Sequence, residues 1–280
     1  MPIWQAIVLG LVQGATEYAP VSSSGHLILV PWLFGWDQLG GNANFAKSFD
    51  VALHMGTLLG AVIYFRRDLW RYLVAWFGTI RFRRIETTDE RLAWALVVGT
   101  IPGAIVGFVL EDVIQDTLGA PWLISVMLAI FGVVLYEVDR RAPSNRGLGS
   151  IGVRTGLFLG IAQAMALQPG VSRSGVTMTA ARAIGLDRET AARFSFLLSL
   201  PIIAGAGVFK GLDLTHTGFQ GHDAEFFWGF VSSALSGFLV IWGLLKYLKR
   251  HDFKVFMLYR LAVAALVLGL IATGVREATT

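Results

Sequence analysis

Apolar runs close to twenty residues long recur along the chain, the clearest being Leu92 to Leu110, Phe226 to Leu245 and Val255 to Ile271. A helix needs about 20 such residues to cross the hydrocarbon layer of a bilayer. Inside that layer the backbone must satisfy its own hydrogen bonds, which restricts a spanning chain to very few architectures. With 55% hydrophobic and only 15% charged residues, the whole chain has the balance of an integral membrane protein. The expected fold is an all-α polytopic membrane protein forming one domain over residues 1–280.

The N-terminal stretch MPIWQAIVLGLVQGATEYAP lacks a basic leading region and runs into polar residues, so it reads as part of the fold and not as a removable signal. There is no cysteine, which excludes disulfides, thiolate metal sites and a cysteine nucleophile. The net charge of +4 does not indicate nucleic acid. Its basic residues are confined to short segments between apolar runs, where they set topology and meet lipid headgroups.

Two of the apolar regions, 3–36 and 152–186, are interrupted by polar residues, and each precedes three further spans. These lie near 49–65, 91–110 and 121–138 in the first series, and near 190–210, 226–246 and 255–273 in the second. The segments GLVQGATEYAPVSSSG (Gly10 to Gly25) and GIAQAMALQPGVSRSG (Gly160 to Gly175) agree at six of sixteen positions at a constant offset of 150. Ordinary residue frequencies would give roughly one or two. The chain is therefore read as an internal duplication, with repeat 1 over about 1–138 and repeat 2 over about 152–275.

Orientation follows from charge. Seven arginines fall between Arg66 and Arg91, four between Arg140 and Arg154, and Lys246, Lys249, Arg250 and Lys254 form a third group. These segments are expected on the cytoplasmic side, and EDVIQDTLGAP and GLDLTHTGFQGHDAE outside. Three crossings between the interrupted regions make the repeats inverted, each with a re-entrant helix-loop-helix region plus three transmembrane helices. Their polar tips then meet near the midplane.

Broken backbone inside lipid is tolerated only in protein or against a wet cavity. Pro20, Pro169 and the glycines at 25, 170 and 175 break the helices there. The freed N–H groups of the following helices suit anions, phosphate above all. Ser22, Ser23, Ser24, His26, Ser172, Arg173 and Ser174 surround the same cavity in this arrangement. Arg173 is the strongest pointer, because a guanidinium in the membrane is costly and its planar fork matches phosphate oxygens. Gln13 and Glu17 share one helical face, and Glu17 suits either a general base or an oxygen ligand for a hard cation. Glu17 and Arg173 equally fit a structural ion pair across the tips, single serines often pack helices, and His26 also fits a satisfied core histidine. His54 reads as structural, while Asp187, Arg188 and Glu189 read as a capping turn into the helix from Thr190.

The motifs QGATEYAPVSSSGH and PGVSRSG, followed by RFSFLLSLP, resemble the signature regions of the BacA-type undecaprenyl-diphosphate phosphatases, and the resemblance runs over nearly the whole chain. It implies removal of the terminal phosphate from undecaprenyl diphosphate, recycling the carrier lipid for peptidoglycan synthesis. It further implies a multi-pass protein of the bacterial inner membrane, a site open to the outer face, and a divalent cation, magnesium or calcium. The family's (Glu/Gln)-X-X-X-Glu motif falls on Gln13 and Glu17, which become the implied metal ligands. Its serine-rich loop falls on Ser22, Ser23 and Ser24 with His26, and its Pro-Gly-X-Ser-Arg-Ser motif on Pro169, Gly170, Ser172, Arg173 and Ser174. Many members carry glutamate where this chain has Gln13; glutamine coordinates through its carbonyl but cannot act as a base.

Residues and resemblance agree on phosphoryl transfer. The expected catalytic set is Glu17, Ser23, His26 and Arg173, with Ser22, Ser24, Ser172, Arg173 and Ser174 binding phosphate. Ser23 is the preferred nucleophile, its proton taken by Glu17 or His26, and an activated water is the runner-up. The expected partners are the polyprenyl diphosphate and membrane lipids, without nucleic acid; a homodimer is compatible with the sequence. The alternative is a polyprenyl-phosphate translocator on the same inverted repeats. Against it, Glu17 and His26 in the first tip face Leu167 and Val176 in the second, an asymmetry suited to catalysis.

Overall fold

In a computed structural model, residues 1–36, 43–109, 118–219 and 221–279 are described. They form ten α-helices and no strand: α1 (Ile3–Tyr18), α2 (Ser23–Phe34), α3 (Ala43–Phe82), α4 (Thr88–Val109), α5 (Pro121–Arg141), α6 (Val153–Ala164), α7 (Arg173–Ala183), α8 (Arg188–Thr217), α9 (Asp223–Leu248) and α10 (Lys254–Ala272). Six of them, α3, α4, α5, α8, α9 and α10, are long and apolar enough to cross a membrane. The others are too short to do so alone: α1, α2, α6 and α7 have 16, 12, 12 and 11 residues, and a rise of about 1.5 Å per residue leaves each below a hydrocarbon thickness of about 30 Å. Both interrupted regions thus consist of paired short helices, α1 with α2 and α6 with α7.

The first span is longer than its apolar run. The run ends at Arg66, yet α3 continues to Phe82, because nothing after Arg66 breaks a helix and Leu69, Tyr72 and Trp76 carry a buried or partly buried face onward at helical spacing. Two ion pairs tie that stretch to its neighbours: Arg71 forks onto Asp89 of α4 at 2.8 and 3.1 Å, and Asp68 meets Arg193 of α8 at 2.5 Å. The expected basic loop contracts to residues 83–87, between α3 and α4. Similarly, α8 runs to Thr217, taking in the first half of the second loop expected outside. Of the first such loop, residues 111–117 lie outside the described residues.

Glycine and serine govern how the helices meet. Helix α1 packs along α9, and α6 along α4. A Cβ on Gly10 would overlap the Gly229 carbonyl and one on Gly14 would sit 2.6 Å from Ser233 O, while Gly156 and Gly160 stand against Ala95 and Gly99. Between helices in lipid, where burial in protein gains little over burial in hydrocarbon chains, such close backbone approach supplies the contact. Gly10 and Gly160, paired in the sequence repeat, hold the equivalent place in the two contacts. Asp187 accepts from the Thr190 N–H at 2.8 Å, the capping turn expected ahead of α8.

Candidate active site

The breaks after α1 and α6 bring two tips together, residues 19–22 and 168–172. Ser22 and Ser172 are the N-cap residues of α2 and α7, both at φ 75°. Their side chains accept from Gly25 N at 3.4 Å and Gly175 N at 3.1 Å. Holding a serine there costs about 1–3 kcal/mol, so the surroundings must impose it. They do so from across the tips: Gly170 N donates to Ser22 Oγ at 3.0 Å, and Ser174 Oγ donates to Ala19 O at 3.0 Å. Gly170 itself has φ 95°, and a Cβ there would lie 2.5 Å from Ile124 O, so both conformation and space require glycine.

Arg260, on α10, locks the junction. Fully buried, it donates from Nη1 to Pro20 O at 3.1 Å and from Nη2 to Gly170 O and Val171 O at 2.7 and 3.2 Å. Nε binds Leu128 O at 2.8 Å. One guanidinium therefore satisfies carbonyls that both breaks leave exposed, and its own burial is offset by those bonds.

Glu17, 4% exposed, is the focus of the polar side chains. Its Oε2 accepts from Ser23 Oγ at 2.6 Å and Gln13 Nε2 at 3.0 Å. Its Oε1 pairs with Arg173 Nη2. Gln13 and Glu17 do share a helical face, and the ion pair across the tips that the sequence allows is formed. Ser23 and Ser24 remain half-buried, and Ser24 Oγ stands 3.5 Å from Ser22 Oγ, as Ser172 Oγ does 3.2 Å from Ser174 Oγ.

His26 is placed beside this cluster with both ring nitrogens engaged: Nδ1 lies 2.7 Å from Ser22 O and Nε2 2.8 Å from Tyr259 OH. Of the two groups expected to take the Ser23 proton, Glu17 is the one in contact with it.

Three residues at the site escaped the sequence reading. His54, read as structural, has Nε2 3.5 Å from Glu17 Oε2 and Nδ1 2.8 Å from Asp50 O. Its signal was the polar series Asp50, His54, Thr57 on one face of an apolar run. Arg260 was a lone cation inside the final run, which marks a functional candidate by default. Tyr259 carried no signal of its own.

The arrangement has a hydroxyl hydrogen-bonded to a buried carboxylate, a guanidinium on the other carboxylate oxygen, and two facing helix N-termini. It can bind an anion and activate an alcohol against it.

The family model described as bacitracin resistance protein BacA matches residues 6–266 of the chain. An undecaprenyl-diphosphatase of Pelotomaculum thermopropionicum is 47% identical over 272 residues, covering 97% of this chain and 98% of that protein. One of Thermomicrobium roseum is 45% identical, with 96% and 98% covered. Another, of Gemmatimonas aurantiaca, is 42% identical, with 98% and 99% covered.

Proposed function

The chain belongs to the BacA family, and from that premise we propose how its two tips act on substrate. It is a membrane-bound undecaprenyl-diphosphate phosphatase, releasing inorganic phosphate and returning undecaprenyl phosphate to peptidoglycan synthesis. The observation that carries the site assignment is the hydrogen bond of 2.6 Å from Ser23 Oγ to Glu17 Oε2, with Arg173 on the remaining oxygen.

Ser23 Oγ attacks the terminal phosphorus while Glu17 takes its proton, and the bond from phosphorus to the bridging oxygen breaks. Undecaprenyl phosphate leaves, and water then hydrolyses the phosphoserine to restore the hydroxyl. Arg173 turns its fork to the phosphate oxygens as the charge shifts. N–H groups at the starts of α2 and α7 add to the field, together with Ser22, Ser24, Ser172 and Ser174.

For a divalent cation, Gln13 Oε1 is buried beside the Glu17 carboxylate with no hydrogen-bond partner among the described residues. Among the described residues no group of three or more His, Cys, Asp and Glu is placed to hold a metal. Two oxygen-bearing side chains fit magnesium or calcium only when phosphate oxygens and water complete the shell. Gln13 and Glu17 would hold such an ion, which would neutralise diphosphate charge.

The two repeats are assigned as inverted on three grounds. Three long helices separate the broken pairs, α1 on α9 mirrors α6 on α4, and Ser22 and Ser172 share an N-cap geometry at the sequence offset of 150. With the arginine-rich segments inside, the site of this inner-membrane protein opens outward.

Phosphate release from polyprenyl diphosphate by the purified protein tests the function. Should it release none with any divalent cation, yet move labelled lipid phosphate across vesicles, the translocator reading replaces this one.

A further inference from the structure

His26 belongs to the family motif, yet in this structure neither nitrogen is free. A backbone carbonyl only accepts hydrogen bonds, so the 2.7 Å contact with Ser22 O puts a proton on Nδ1. In the neutral imidazole Nε2 is then the acceptor, and Tyr259 O–H donates to it at 2.8 Å. The two rings lie nearly parallel, 12° apart with centroids 5.6 Å apart. His26 is 5% exposed while Tyr259 is 43% exposed, so the hydroxyl closes the outward end of a chain running from Tyr259 through His26 to Ser22 O.

That carbonyl is a sensitive place to hold. Ser22 is the N-cap serine at φ 75°, and its carbonyl shares a planar peptide with the Ser23 N–H, which points the opposite way. Fixing Ser22 O therefore fixes the direction of that N–H, one of the first-turn donors that helix bonding leaves over. It also fixes where the Ser23 side chain starts toward Glu17, 2.6 Å away. Next in sequence to Tyr259, Arg260 binds Pro20 O and Gly170 O, so α10 is pinned to both tips at the turn where the tyrosine sits.

We propose that Tyr259 is a positioning residue of the phosphatase: through His26 it sets the Ser22–Ser23 peptide, so that Ser23 meets Glu17 and its N–H meets the phosphate. The proposal rests on the phosphatase reading for its kinetic part. It assigns His26 a role in alignment in place of proton removal from Ser23.

Tyr259→Phe keeps the stacked ring and deletes one hydroxyl. For polyprenyl diphosphate its kcat should fall about tenfold with KM held within about twofold, since alignment is lost and binding is not. His26→Asn sets an amide nitrogen near the Nδ1 position, keeping a donor to Ser22 O while ending the contact with Tyr259. Adding Tyr259→Phe to that variant should cost less than about twofold, as expected of residues acting in series. Nitrogen NMR of histidine-labelled protein supplies a second readout: His26 should carry its proton on Nδ1, and Tyr259→Phe should shift the Nε2 signal alone. Full turnover in Tyr259→Phe, losses that multiply in the double variant, or a proton on Nε2 would each overturn the proposal. Wild-type protein that releases no phosphate would instead count against the phosphatase reading, and the NMR signals would then decide the tyrosine's hold on His26 by themselves.

Discussion

Ser23 Oγ lies 2.6 Å from Glu17 Oε2, although the two residues sit on opposite sides of a helix break. The break at residues 19–22 is what turns the start of α2 back toward the end of α1. A continuous helix would put positions 17 and 23 about 600° of rotation and 9 Å of rise apart. Interrupting the helix thus creates the contact between hydroxyl and carboxylate.

Removing either member should leave binding and abolish turnover. Glu17→Gln keeps the shape of the side chain without a proton acceptor, and Ser23→Ala removes the attacking oxygen with little change in volume. Phosphate release should fall by roughly a hundredfold or more in each, while binding of polyprenyl diphosphate persists through Arg173. Thermal unfolding in detergent should be measured alongside, because Glu17→Gln leaves the Arg173 guanidinium without its partner. Full release by Glu17→Gln would remove the carboxylate from the chemistry; full release by Ser23→Ala would transfer the attack to water.

Arg173 distinguishes shape from charge. Lysine retains the positive charge but has no planar fork, so Arg173→Lys should lower turnover by about tenfold or more. If the residue served only as an ion pair for Glu17, lysine would serve nearly as well. Near-normal kcat/KM in this variant would favour that structural role.

Gly160 tests the packing that holds the second tip. Its Cα faces Gly99 on α4 so closely that an added methyl would overlap the Gly99 backbone. Gly160→Ala should destabilise by about 1–3 kcal/mol, the usual range for overpacking, seen as a lower melting temperature in detergent. Gly205, with nothing among the described residues within 4 Å of an added Cβ, should accept alanine with no such loss. Equal behaviour of the two variants would contradict the close helix contact.

The sequence announced the tips because polar residues in apolar surroundings carry a high energetic cost, and Pro20, Gly170 and the paired serines showed where helices had to stop. It did not show that Ser22 and Ser172 would sit at positive φ, since the contacts that hold the two caps cross between the tips: Gly170 N donates to Ser22 and Ser174 donates to Ala19 O, each pair about 150 positions apart. His54 reads as structural from its own apolar span; the carboxylate it approaches, Glu17, is on another helix. Tyr259 is 233 positions from His26, a relationship that helical periodicity cannot report. The extension of α3 to Phe82 was hidden for the opposite reason. Its arginines read as a loop, whereas Asp89 and Asp68 pair with charges on packed helices.

Topology can be read directly because the chain has no cysteine. From the arginine-rich segments the expected topology has residues 83–87 and 142–147 in the cytoplasm, and the start of α9 and the C-terminus outside. Reporter positions must be exposed for the reagent to reach them. Arg84, Asn145, Ala224 and Thr279 are exposed. In intact spheroplasts an impermeant thiol reagent should label Ala224→Cys and Thr279→Cys at once. Arg84→Cys and Asn145→Cys should react only after the membrane is opened. Because three long helices separate the broken pairs, these four positions also decide whether the two halves are inverted. Immediate labelling of Arg84→Cys, or protection of Ala224→Cys, would reverse the orientation and place the opening of the site on the cytoplasmic face.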